Sequence, residues 1–170
     1  MTLPQGYWIR PSEPDDAPSL SGITLASIRQ LGLRHYSQEQ VAAWAGRHPS
    51  SQRFIDRAVS GATILVAVTK APAPVACTLV EIDGEGAAHF DMLYCHRQHT
   101  RQGIADALLA AAEDHARAKG APRIYTEASE LARAVFERSG YALRNRRDFT
   151  IEHQGSAVAI HNYPMEKRFN

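Results

Sequence analysis

Phe90-Asp91-Met92-Leu93-Tyr94-Cys95 reads as a strand, and Gln98-His99-Thr100-Arg101-Gln102-Gly103-Ile104-Ala105 follows it and opens a helix. A strand, a short loop and a glycine-bearing helix start make a place to hold phosphate. The N–H groups of a helix's first turn have no partner inside the helix, and the helix dipole adds partial positive charge at the same end. Gly103 has no side chain, so a ligand can come close to its backbone. Arg97 and Arg101 add charge beside it. An ordinary strand-to-helix connection can also carry one glycine, so the stretches on either side have to be read with it.

Downstream, Ile104, Leu108, Ala111, Ala112 and His115 keep a 3.6-residue beat, which predicts a helix from Arg101 to Lys119 stopped by Gly120. A strand over Arg123–Glu127 follows, and then a short helix capped by Ser129, holding Leu131, Val135 and Phe136 and closed by Gly140. Two strands, Tyr141 to Glu152 and Ser156 to Lys167, turn at Gln154-Gly155. Upstream, Asp83-Gly84-Glu85-Gly86 is turn chemistry between the strand Val75–Ile82 and the strand Ala87–Cys95. Thr63–Val68 is a further β-branched run. Before it the period is helical. Asp15 is placed to cap a helix from Ala17 to Leu33, weakened by Gly22 and Gly32. Ser37 and Gln40 form a capping box for a helix carrying Val41, Trp44 and Ala45, and a third helix spans Ser51 to Val59. Tyr7–Arg10 is a first strand.

The predicted class is therefore α/β (α+β): seven strands in a mixed, mostly antiparallel sheet, with helices on both faces and a central parallel strand–helix–strand unit. The switch from antiparallel meander to parallel crossover falls at the strand ending in Cys95, and ligands favour such switch points.

Composition narrows the function. The 170 residues are read as one domain, and 19 Lys and Arg against 18 Asp and Glu leave a net charge of +1. So balanced a chain is not expected to bind nucleic acid or a membrane surface. Cys77 and Cys95 are far apart and neither has metal-ligand spacing, so no metal is expected. Cys95 reads as a small buried hydrophobe rather than a nucleophile. No apolar run approaches a membrane span or a signal peptide, which makes a cytoplasmic setting the expectation.

Three motifs, in order, carry a family resemblance. Thr100-Arg101-Gln102-Gly103-Ile104-Ala105 with Leu108-Leu109 is similar to a signature of Gln or Arg, two residues, Gly, one residue, and Gly or Ala. Thr100 departs from it at the first position. Ala128-Ser129, Ala132 and Val135-Phe136-Glu137-Arg138-Ser139-Gly140-Tyr141 resemble a closing helix with an aromatic exit. Asn162-Tyr163-Pro164-Met165-Glu166-Lys167 resembles a last strand that often ends in Met-Glu-Lys. Over nearly its whole length the chain resembles the GNAT N-acetyltransferase superfamily. His35-Tyr36-Ser37 with Trp44 is similar to a little-characterised bacterial branch of it.

The resemblance implies a GNAT-type fold, acetyl-CoA as co-substrate and an amine acceptor, attacked directly in a ternary complex. It implies that Arg101, Gln102, Gly103, Ile104 and Ala105 hold the donor's pyrophosphate, that the pantetheine arm lies along Leu93, Tyr94 and Cys95, that Ser129 bonds the arm and that Phe136 packs near the thioester. His35, Tyr36 and Trp44 fall in the region that forms the acceptor wall. A homodimer is left open, as many relatives pair.

Acetyl transfer to an amine needs a neutral nucleophile, and an alkyl-ammonium titrates near roughly 10, so a base or a dry site has to take its proton. His89 and Asp91 alternate with Phe90, share one face of a strand, and are the base candidates; bonding to neighbouring strands would equally explain them. The family often protonates the leaving thiolate with a Tyr where this chain has Phe136. Tyr141 is kept as the acid candidate, with Tyr94, Tyr125 and Tyr163 as substitutes. Arg144, Arg146 and Arg147 read as a charged edge strand, with binding of an acidic acceptor as the alternative. The expected activity is acetylation of a small primary amine. A protein or aminoacyl-RNA amine, or a non-catalytic CoA-binding sensor, are the competing readings.

Overall fold

A computed structural model describes residues 3–48 and 50–169. Among them lie β1 (Trp8–Pro11), α1 (Ala17–Leu31), α2 (Gln38–Gly46), α3 (Ser51–Val59), β2 (Thr63–Val68), β3 (Pro74–Ile82), β4 (Ala88–Cys95), α4 (Ile104–Ala118), β5 (Arg123–Ala128), α5 (Glu130–Arg138), β6 (Ala142–Leu143), β7 (Arg147–His153) and β8 (Ser156–Arg168). The sheet order is β1-β2-β3-β4-β5-β8-β6, with β7 also on β8, and every pairing is antiparallel except β4 with β5. This is the mixed, mostly antiparallel sheet that the sequence predicts, with eight strands in place of seven.

The extra strand comes from a break. Tyr141–Glu152 was expected to run continuously, but β6 and β7 are separate. Leu143 faces Met165 and Arg147 faces Asn162, so four residues on one side pass three on the other. Pro164 lies opposite the break and has no N–H for the ladder, while its carbonyl accepts from the N–H of Arg144 at 2.9 Å. The residue of surplus is absorbed there, and β7 swings away from the line of β6.

One cap and two helix boundaries also differ from expectation. Asp16, not Asp15, sits at the head of α1; its carboxylate accepts from the Glu13 N–H at 2.8 Å and from both terminal nitrogens of Arg10 at 2.7 and 3.0 Å. Helix α1 stops at Leu31 and a 3-10 turn follows over Gly32–Arg34. A Cβ on Gly32 would stand 3.0 Å from Cγ2 of Val41, so glycine lets α1 and α2 close on each other. Helix α4 starts at Ile104, three residues late, because Arg101 and Gly103 are left-handed at φ 63° and 79°. The Ser37–Gln40 box forms as read, with reciprocal bonds of 3.1 and 2.9 Å.

Helices cover both faces. Leu20 of α1 and Phe54 of α3 pack on Val66, Cys77, Leu79 and Met92. On the other face Leu109, Ala112 and Ala116 of α4 meet Val80, Ala88 and Phe90. Strand β2 is buried on both sides, which is why it reads as an unbroken apolar run.

One irregularity shapes the centre. Leu79 pairs with Met92 and Val80 with Phe90, so Asp91 is an extra residue in β4. Phe90 and Met92, two apart, accordingly fall in cores on opposite faces. Just beyond, β4 leaves β5: they pair only at Ala88–Ile124 and His89–Tyr125. The gap that opens is where the cavities lie.

Candidate active site

Two cavities meet at this gap. One, of about 270 Å³, runs between α1, the start of α4 and α5, and is floored by Leu93, Tyr94 and Cys95 of β4. Its far end is the loop Thr100–Arg101 with Gly103, Ile104 and Ala105. The first bond of α4 is Ala107 N–H to Gly103 O at 3.0 Å, so the N–H groups of Ile104, Ala105 and Asp106 lie ahead of it with no intrahelical partner. A Cβ on Gly103 would meet no atom within 4 Å, so the space over it is open. Arg34 and Arg101 line the same end, and among the described residues neither has a carboxylate partner. Arg138 is there too, bonded to Asp106 at 3.1 Å. Open space, bare amides and free guanidinium groups make an anion site that fits a diphosphate.

The second cavity, of about 310 Å³, fills the wedge between β4 and β5 and is roofed by α2 and β7. Trp44, Leu93, Tyr94, Ser129 and Ala132 line both cavities and mark their junction. Ser129 caps α5, its hydroxyl oxygen accepting from Ala132 N–H at 3.3 Å, which leaves its proton to give. Tyr94 bonds through its phenol to Nε2 of His48 at 3.2 Å, and burial raises its pKa, so it stays protonated. His48 is held neutral, pushed down to about 3 by burial and by the charge of Arg53.

The predicted residues are partly gathered here. Asp91, Leu93, Tyr94, Ser129, Phe136, Tyr36 and Trp44 line the wedge, and Leu93, Tyr94, Cys95, Arg101, Gly103, Ile104, Ala105, Ser129 and Trp44 line the channel. Gln102 is turned aside: its side chain accepts from the Tyr7 hydroxyl at 3.0 Å. His35 is exposed and lines neither cavity. Tyr141 is also outside both, sealed in the core against Phe136 with ring centroids 5.0 Å apart; among the described residues its buried hydroxyl has no well-formed hydrogen bond, and burial first, then nearby Glu113, raise its pKa.

His89 lies behind the wedge. It does share a face with Asp91, as the sequence indicates, because Arg57 of α3 reaches both Asp91 (3.1 Å) and Glu81, the cross-strand partner of His89. But Nε2 of His89 is 2.8 Å from Oε2 of Glu127, and its ring stacks on Tyr125. Burial works against its charged form, yet the Glu127 bond and the charges of Glu127, Asp91 and Glu81 outweigh burial and raise its pKa. It holds a proton rather than waiting for one. Glu127, lowered by the same bond, is the member that reaches the cavity.

His161 carries no signal in the sequence. It lines the wedge from β8, its Nε2 is 3.0 Å from Glu130 Oε2, and the Tyr163 hydroxyl donates to the same oxygen at 2.5 Å. The Tyr163 bond leads the effects that lower the Glu130 pKa, so Glu130 is a carboxylate that only accepts. A neutral His161 therefore carries its proton on Nε2 and its lone pair on Nδ1. The Tyr36 ring lies tilted against that of His161, with centroids 5.4 Å apart, and Tyr36 holds the start of α5, its hydroxyl accepting from Glu130 N–H at 2.8 Å.

The acetyltransferase (GNAT) domain family matches residues 32–168. The chain belongs to the GNAT acetyltransferase family. It is an acyltransferase of the N-acetyltransferase kind. A relative, the uncharacterized N-acetyltransferase YafP of Escherichia coli K12, is 28% identical over 133 residues, which are 78% of this chain and 79% of that protein. The crystal structure of a GCN5-related N-acetyltransferase from Rhodopseudomonas palustris is 31% identical, with a TM-score of 0.81 and 99% of each chain covered. PaiA N-acetyltransferase from Thermoplasma acidophilum, solved with coenzyme A, shares the fold at a TM-score of 0.77 and 18% identity, over 96% of this chain and 99% of that one. No described helix of this GNAT chain is long and apolar enough to cross a membrane.

Proposed function

We propose that this GNAT enzyme moves the acetyl group of acetyl-CoA to a primary amine of a small molecule held in the wedge. The observation that carries the reading is the meeting of two cavities at Leu93, Tyr94 and Ser129, one ending in an anion site and the other closed by ionisable side chains. The wedge, at about 310 Å³, is at the small-ligand end of pocket sizes, which favours a small acceptor over a protein or an RNA end. Coenzyme A bound to the PaiA relative supports the donor.

When bound, acetyl-CoA supplies an activated acyl carbon. The chain's part is to hold and to manage charge. The amides of Ile104 to Asp106, with Arg34 and Arg101, hold the diphosphate. The edge of β4 that leaves β5 offers backbone groups to the arm and an N–H near Leu93 or Tyr94 to the carbonyl oxygen as it gains charge. His161, oriented by Glu130, takes the ammonium proton on Nδ1, as a base fixed by a carboxylate on its other nitrogen. Asp91 and Glu127 offer carboxylate oxygens that accept hydrogen bonds from the amine, with His89 positioning Glu127. In the transfer an N–C bond forms, a C–S bond breaks, the acceptor loses two protons and the thiolate regains one. A thiol titrates near about 8.5, so it can recover its proton from water, and the Tyr94 phenol gives a hydrogen bond without giving up its proton.

The test is thiol release from acetyl-CoA with a panel of small primary amines. His161→Gln should lower kcat by roughly a hundredfold, erase the acidic limb of the pH profile, and leave the CoA Kd unchanged. Tight CoA binding with no thiol release for any amine would instead support a CoA-binding module. An unchanged pH profile in the variant would remove His161 from the chemistry.

A further inference from the structure

The charges of the wedge do not balance. Its two carboxylates are both neutralised from behind, Asp91 by Arg57 at 3.1 Å and Glu127 by His89 at 2.8 Å. Three arginines also line it: Arg47 at the end of α2, Arg53 on α3 and Arg147 at the start of β7. Among the described residues none of the three has a carboxylate partner; Arg147 has the amide oxygen of Asn162, 3.1 Å from Nε, and the face of the Phe149 ring, 5.3 Å from its guanidinium carbon. Their neighbours in sequence behave differently: Arg144 pairs with Glu166 and Arg146 with Asp148. The break at Pro164 separates these two from Arg147 and turns Arg147 over the cavity. Its charge reaches Glu127, and that of Arg53 reaches His48, so these guanidinium groups bear on the cavity interior and not only on bulk solvent.

A cavity with paired acids on its floor and unpaired guanidinium groups at its rim is complementary to a small molecule with an ammonium at one end and an anion at the other. We infer that the acceptor is an amine bearing a carboxylate, of the α-amino acid class, with its amine directed at Asp91, Glu127 and His161 and its carboxylate held by Arg147 and Arg53. This rests on the acetyl-transfer reading and specifies its substrate. A guanidinium–carboxylate bond is worth a factor on the order of ten to a hundred in affinity, so such an acceptor is selected over the same amine without its acid.

The experiment compares α-amino acids with the amines left when their carboxyl is removed, leucine against isopentylamine being one pair. On the wild type, kcat/KM for thiol release should favour the acid by on the order of a hundredfold. Arg147→Gln and Arg53→Gln should each raise KM for the acid on the order of tenfold and change KM for the decarboxylated amine by much less. These side chains are exposed, so the melting temperature should hold. Equal kcat/KM across the pairs, or equal losses for acid and amine in the variants, overturns the inference while leaving acetyl transfer standing. If no amine is turned over, acetyl transfer fails and calorimetry on the CoA-loaded protein decides this point. Binding of leucine but not isopentylamine sustains it, and binding of both or neither overturns it.

Discussion

Replacing Gly103 with Glu separates a phosphate cradle from an ordinary helix start. Gly103 has φ 79°, so any L-residue there carries strain. That strain costs roughly 1–2 kcal/mol. For a chain of this size it lowers Tm by about 2–8 °C. No atom lies within 4 Å of a Cβ at this position, so the fold itself tolerates the side chain. The channel does not. The carboxylate enters the space over Ile104 and Ala105, where it competes with the diphosphate for the same bare amides. A hydrogen bond to a charged group is worth about 1.5–3 kcal/mol, so losing two costs about 3–6 kcal/mol, or on the order of 10²–10⁴ in Kd. Gly103→Ala carries the strain without the blocking group and should keep the CoA Kd within a fewfold of wild type. Calorimetric titration with CoA and a thermal melt on both variants make the test. If the Glu variant melts lower as expected yet binds CoA like wild type, the strain is real and no ligand comes near Gly103, which refutes the cradle.

Two further outcomes follow from the polar groups around the wedge. The raised His89 contributes stability that is full below its unfolded value of 6.5 and is lost as pH rises through its folded value. The lowered Glu127 contributes stability that is present above 4.5 and is lost as pH falls through its folded value. The Tm difference between wild type and His89→Gln should therefore be greatest between about pH 4.5 and 6.5 and shrink toward pH 9; a difference that widens with pH contradicts the pairing. Tyr141→Phe removes a buried hydroxyl that makes no well-formed hydrogen bond among the described residues, so Tm should hold or rise slightly and kcat should be unchanged; a tenfold drop in kcat would place Tyr141 in the reaction.

The reach of the sequence is set by locality. Ser37 with Gln40, the turn at Asp83 and the beat from Ile104 to His115 are each satisfied within a few residues, so their physics is visible in a short window. The glycine of the phosphate loop is of the same kind, since the left-handed backbone it supports belongs to the loop alone. What the sequence hides comes from register. Asp91 looks like one more alternating residue, and nothing in Phe90-Asp91-Met92 announces that the neighbouring strand skips it. His161 is one polar residue in an alternating strand. It becomes a candidate base only when β8 is laid beside α5, thirty-one positions back along the chain, bringing Glu130 to its ring. Tyr141 misled for the opposite reason: a motif position fixes order along the chain, while the face it presents depends on how α5 exits into the sheet.

Two register faults, one in β4 and one opposite Pro164, act together. Asp91 in excess turns Phe90 and Met92 to opposite cores and marks the place where β4 parts from β5. The surplus residue between β6 and β7 then carries Arg147 across the gap so opened. Either fault alone would leave less: a wedge with no cation over it, or an arginine lying on a closed sheet. Pro164 is legible in the sequence as a residue that cannot donate to a ladder, and three arginines cluster within four residues opposite it. The rule that charged residues protect an edge strand accounts for Arg144 and Arg146, which are exposed and paired with the carboxylates of Glu166 and Asp148. It does not account for Arg147, which among the described residues has an amide oxygen and an aromatic ring as partners and no carboxylate. The residue that departs from the protective pattern is the one that faces the cavity, and that asymmetry carries the substrate proposal from charge on a surface to charge in a site.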